Sequence, residues 1–237
     1  MRIFDVINGF DEHDPFSRHE RACTTAMPPS SQFCFGVLAP SDREWFGMAE
    51  CAALYEAACD RLTELGGKPI EIDFAPLREA GRMLFDGPWI AERRAALASF
   101  VDKNPDALLD TTRTVLATAG KHDAAATFTA VHRLAQPRRL IERQFAAVCV
   151  LVVPTAPRPF TIMEMNADPV RLNNQLGHYS YFANLLDLCA IAVPSGVLAC
   201  GVPMGVTLLA PAWADEGLAK IACRLEAKQS NHALSAQ

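Results

Sequence analysis

Apolar and polar positions along the chain switch between helical and strand periods, and the switches mark out the elements. Residues 34–38 form a compact apolar run of strand length. Ser41-x-x-Glu44 has the spacing of a capping box and predicts the start of a helix. The apolar stripe of that helix is Cys51, Leu54, Ala58, Leu62 and Leu65, and Gly66-Gly67 stops it. A strand is expected over residues 69–74. Residues 76–145 are helical in pattern, broken by Gly87-Pro88, by Asn104-Pro105 and by Gly120 before the N-cap candidate Asp123, so about four helices fit there. Pro137 falls inside the last of them, where it removes a ladder bond at roughly 3 kcal/mol or forces a kink. Residues 148–153 are wholly apolar and rich in valine, which predicts a strand covered on both faces, and Pro154 to Pro157 ends it. Strands at 190–193 and 204–209 and a helix from about 214 to 226 complete the pattern. Strands separated by helices imply an α/β chain with a mixed sheet and helices on both faces.

Residues 188–214 contain no charge, and length alone would suggest a membrane span. Pro194, Pro203 and Pro211, with Gly196, Gly201 and Gly205, cut the run into pieces too short to cross as a helix, so buried strands and no membrane partner are expected. The first thirty residues carry Asp5, Asp11, Glu12 and Asp14 and lack the basic start and apolar stretch of a signal peptide.

Half of the 237 residues are hydrophobic and 21% are charged, a composition that supports a packed core. A net charge of −5 without a block of like charge gives no footprint for nucleic acid. The eight cysteines, Cys23, Cys34, Cys51, Cys59, Cys149, Cys189, Cys200 and Cys223, include no Cys-x-x-Cys pair and no zinc spacing. They read as core thiols in a reducing compartment, which places the chain in the cytoplasm. His13, His19, His122, His132 and His232 have no metal spacing either, and neither a metal nor a cofactor is expected.

Several segments, in order, resemble the amidase signature family, and within it the allophanate hydrolase group. They are Phe4-Asp-Val-Ile-Asn-Gly-Phe10 with Asp14-Pro-Phe-Ser-Arg18, Gly87-Pro-Trp-Ile-Ala-Glu-Arg93 and Val150-Leu-Val-Val-Pro-Thr-Ala-Pro157. Ala167-Asp-Pro-Val-Arg-Leu-Asn173, Asn184-Leu-Leu-Asp-Leu-Cys-Ala-Ile-Ala-Val-Pro-Ser-Gly196 and Gly201-Val-Pro-Met-Gly-Val-Thr-Leu-Leu209 continue the likeness. The resemblance implies a partial amidase signature fold. Residues 1–32 are then a helix remnant and linker ending in Met27-Pro-Pro-Ser-Ser31, residues 33–226 the C-terminal half of an amidase-type domain, and residues 227–237 a polar tail.

Family members hydrolyse amides with a serine nucleophile, a second serine and a lysine base, all lying upstream of the segment matched by Phe4. A serine hydroxyl needs a positioned base and the oxyanion needs convergent donors. No substitute stands out here. Ser30-Ser31 follows two prolines and reads as linker. Lys68 sits beside Gly66-Gly67 in a turn, and Cys189, paired in imagination with His178, lies in an apolar strand. No catalytic residue is therefore assigned, and the chain is expected to be inactive alone.

What the resemblance leaves is recognition. It implies that Arg93 contacts the substrate, a role in which a guanidinium can give a carboxylate two parallel hydrogen bonds. The partner position, where the family has tyrosine, is Phe85, which loses one hydrogen bond worth about 0.5–1.5 kcal/mol. Cys149 stands where an acidic residue is usual, His178 and Tyr181 where smaller or polar residues are, and Pro137 interrupts a helix the family keeps whole. These departures imply a chain not tuned to allophanate hydrolysis. Three readings stay open: a truncated allophanate hydrolase homologue, a subunit of a split amidase completed by a complementary half, and a module binding a small carboxylate, an amide or a protein. Bare sheet edges and apolar faces would favour self-association.

Overall fold

The computed structural model describes residues 2–19 and 32–235. The elements are α1 (Arg2–Ile7), β1 (Phe33–Leu38), α2 (Glu50–Glu64), β2 (Gly67–Ile72), α3 (Ala75–Asp86), α4 (Trp89–Lys103), α5 (Asp110–Ala117), α6 (Ala124–Arg133), α7 (Ala135–Phe145), β3 (Val150–Pro154), α8 (Ile162–Ala167), α9 (Pro169–Leu176), α10 (Phe182–Leu185), β4 (Leu188–Val197), β5 (Pro203–Pro211) and α11 (Asp215–Ser235). The expected linker at residues 27–31 lies outside the described residues.

The sheet runs β2-β1-β3-β5-β4. β1 pairs in parallel with β2 and β3, while β5 is antiparallel to both β3 and β4. This is the mixed sheet expected. Residues 150–154 are all buried, so the apolar run keeps its cover, and the sheet's edges are β2 and β4. The uncharged stretch becomes the β4–β5 hairpin, with a register shift at Pro194/Gly196 on the edge strand, where a missing backbone donor is tolerated. Among the described residues no helix is long and apolar enough to cross a membrane.

Strand alternation sorts the core. Phe35 and Leu62 of α2 both border Gly67 and are fully buried; α2 packs with α11. Gly36, with the opposite parity, lies under Leu151 and Ile72, and a Cβ there would fall 2.5 Å from Leu151 Cδ2. α3 packs with α7 and α10, which reach β5 and β4. Buried Tyr55 links α2 to the sheet: its hydroxyl accepts from Leu38 N and donates to Val152 O, each at 3.0 Å.

Several local expectations are corrected. The Ser41/Glu44 spacing starts no α-helix: a 3-10 turn spans Pro40–Asp42, and α2 begins at Glu50. Glu44 instead accepts from Phe46 N at 2.7 Å, while Phe46 and Gly47 both take positive φ and reverse the chain. A capping box does form at Thr161/Glu164, unread in the sequence. Pro137 kinks nothing, because α6 ends at Arg133 and α7 starts at Ala135; proline then lies in a first turn, whose amides have no helical acceptor anyway. That break raises the helices between residues 75 and 145 to α3 through α7. Lys68 lies in strand β2, not in a turn. Helix α11 continues through residue 235, past the boundary set at 226. Asp123 caps α6 as expected, accepting from Ala126 N at 2.7 Å.

Candidate functional site

α3 buries Leu77, Ala80, Met83 and Leu84 along one stripe, which turns Arg78, Gly81, Arg82 and Phe85 toward a small cavity. Gly87 ends the helix; a Cβ there would fall 2.4 Å from Met83 O, so the sharp exit needs glycine. α4 then doubles back from Trp89 and carries Arg93 to Phe85. The Arg93 guanidinium carbon lies 5.6 Å from the Phe85 ring centre, within cation–π range. Arg93 is exposed, and among the described residues it makes no salt bridge. The two residues singled out in the sequence are therefore brought together.

Tyr181 completes the cluster. Its ring sits 4.4 Å from that of Phe85, and its hydroxyl donates to Asn173 O at 2.5 Å. The ring rests on Gly177 so closely that a Cβ there would lie 1.8 Å from Tyr181 Cζ. Burial raises the Tyr181 pKa, while Arg93 acts in the opposite direction. Tyr181 was noted in the sequence only as a departure, and its tilted ring contact with Phe85 was not foreseen. Aromatic side chains so far apart in sequence give no local signal of contact.

The cavity between α3, α9 and the 177–181 turn has a volume of ≈ 140 Å³ and is lined by Arg78, Arg82, Phe85, His178 and Tyr181 among others. His178 packs against Phe46, Phe74 and Tyr179. Burial lowers its pKa, and Arg78 and Arg82 add to that, so the ring is neutral at pH 7. Arg78 is paired with Asp42. Tyr179 is buried; its hydroxyl accepts from Glu44 N at 2.6 Å and faces the carbonyls of Asp42 and Glu44, and burial pushes its pKa up to about 12. A larger groove of ≈ 690 Å³ opens on the other side of α3, lined by Arg82, Trp89, His122 and Arg133 among others.

Neither Cys189 nor Lys68 lines this cavity. The Cys189 thiol donates to Pro211 O at 3.2 Å on β4, and Ser30-Ser31 lies outside the described residues. Among the described residues no three His, Cys, Asp or Glu side chains form a metal site. What the cavity offers is cationic and aromatic side chains, and among the described residues no serine, cysteine or lysine lines it.

A mixed five-stranded sheet with this helical layer carries the arginine–aromatic pocket. The Amidase family profile matches residues 2–219, and the chain belongs to that family. Its likeness to urea-processing members is close. It is 36% identical over 226 residues to urea amidolyase of Lachancea kluyveri, spanning 94% of this chain and 12% of that protein. With urea amidolyase of Saccharomyces cerevisiae it shares 34% identity over 190 residues, 79% of this chain and 10% of that one. Kluyveromyces lactis allophanate hydrolase superposes with a TM-score of 0.87 at 31% identity, covering 94% of this chain and 36% of its own. The chain thus spans about a tenth of the urea amidolyases and about a third of that hydrolase.

Proposed function

We propose that this chain is the substrate-recognition part of an allophanate hydrolase-type amidase, binding a small carboxylate or amide derived from urea between α3, α4 and the 177–181 turn. The observation that carries this reading is Arg93: its guanidinium is held over Phe85 yet makes no salt bridge among the described residues. A charge positioned but unspent suits a ligand carboxylate, whereas a structural arginine is ordinarily paired, as Arg78 is with Asp42. Phe85 supplies apolar wall in place of a phenol, and Tyr181 closes the far side. The serine and lysine chemistry comes from sequence beyond these residues, in trans where a separate chain carries it. Ile3, Val6, Ile7 and Phe16, all exposed on or near α1, supply apolar surface for such a complementary half or for self-association. Alone, in the cytoplasm or in a tube, the chain binds but does not hydrolyse.

The test is calorimetric titration with malonamate, paired with ammonia release from allophanate. Arg93→Ala is expected to weaken binding by about 1.5–3 kcal/mol, the worth of a hydrogen bond to a charged group. No ammonia above the blank is expected from the purified chain. Unchanged binding in Arg93→Ala, or turnover that survives repurification and is abolished by a point change, overturns the reading.

A further inference from the structure

The end of the sheet remote from that pocket brings together two cysteines that the sequence keeps far apart. Cys34 lies near the start of β1, and Cys149 immediately precedes β3. The backbone amide of Cys149 donates to Cys34 O at 2.9 Å, which extends the parallel ladder Phe35↔Val150, Gly36↔Leu151 by one step. Residues in register on neighbouring strands share a face. On the other side of β1, Cys34 is in register with Lys68 of β2. Lys68 on β2, Cys34 on β1 and Cys149, one residue before β3, therefore form a row. Both thiols are half-buried and Lys68 is exposed.

From this row we infer that Cys34 and Cys149 form a two-coordinate site for a soft monovalent d10 cation, Cu(I) or Ag(I), with Lys68 as counter-ion. Neighbouring strands lie about 4.8 Å apart. A thiolate sits about 2.3 Å from a small d10 ion such as zinc, so a linear S–M–S pair spans about 4.6 Å and fits that spacing. A disulfide wants its Cβ atoms at about 3.8 Å and suits the spacing less well. Soft thiolates select such cations. Binding is balanced as one cation plus two thiols giving an anionic dithiolate complex and two protons, with no change in oxidation state. The complex carries one net negative charge, which the Lys68 ammonium beside Cys34 offsets.

The test uses the full chain reduced with a phosphine, Ag(I) as probe, then alkylation and peptide mass spectrometry. The first equivalent is expected to protect Cys34 and Cys149 together while exposed Cys200 and Cys223 still react. Cys34→Ser and Cys149→Ser should each weaken retention by about 100-fold and expose the remaining partner. Lys68→Met should weaken Ag(I), whose complex is anionic, and leave Hg(II), whose dithiolate is neutral, unchanged. Alkylation of Cys34 and Cys149 at the same rate with and without Ag(I) in the unmodified chain overturns the site, as does protection of Cys34 that persists in Cys149→Ser.

Discussion

Two clusters in this molecule use the same side-chain types to opposite ends. Around Tyr55 and Tyr179 the polar tips are spent inward: Tyr55 on Leu38 and Val152, Tyr179 on the 42–44 turn, Arg43 on Leu38 O and Glu56, Arg78 on Asp42. Around Phe85 and Tyr181 the rings still meet, tilted by 46°, but Arg82 and Arg93 have no salt bridge among the described residues. The first arrangement fastens α2 and the 177–181 turn to the sheet. The second leaves Arg82 on the wall of a cavity and Arg93 exposed beside Phe85. Saturated hydrogen bonding marks the structural cluster, and unspent donors mark the candidate site.

Mutations sharpen that contrast. Tyr55→Ala should have the largest effect on stability, about 3–5 kcal/mol, because it opens a cavity and strands the Leu38 amide in the core. Chemical denaturation measures it, and a loss below about 1 kcal/mol would dissolve the distinction.

Gly177→Ala comes next, at about 1–3 kcal/mol, since the added methyl overlaps the Tyr181 ring. The double variant Gly177→Ala/Tyr181→Ala should lose less than the sum of its parts. Strict additivity would mean that the ring does not rest on Gly177.

Acid should act on His178 next. Its folded pKa lies below the ordinary 6.5 because burial, Arg78 and Arg82 outweigh Glu44 and Asp42. The unfolded chain therefore takes up a proton that the folded chain refuses. The contribution is present above pH 6.5 and is lost as pH falls through the folded pKa. In His178→Phe that component of the pH profile should vanish. Glu164 and Asp187, whose carboxyl pKa values are lowered by hydrogen bonds from Thr161 and Arg18, lose their contributions in a separate window below about pH 4.

Arg93→Ala should have the smallest effect on stability, within about 0.5 kcal/mol, while weakening ligand binding. A large loss of stability would move Arg93 into the structural cluster.

Much of the fold was legible. The strands at β1, β3, β4 and β5, the Gly66-Gly67 stop, the Asp123 cap and the break at Gly87-Pro88 all rest on local patterns. At the site the sequence pointed to Arg93 and Phe85 through resemblance, yet it gave Tyr181 and His178 only as oddities. The misread positions share a cause. Ser41/Glu44 has capping spacing, but Tyr179, distant in the chain, takes the Glu44 amide and Phe46 and Gly47 turn the backbone away. Pro137 looked disruptive only while α6 and α7 were read as one helix.

The sequence by itself determined most helices and strands and which faces are apolar, because periodicity, caps and breakers act over a few residues, and the ordered motifs pointed to the family by resemblance. Tertiary structure alone decided which distant residues meet: Tyr181 on Gly177 and Phe85, His178 among aromatics, Cys34 beside Cys149. Those meetings depend on strand register and helix docking, long-range choices that minimise exposed apolar surface over the whole chain and leave no mark in any local window.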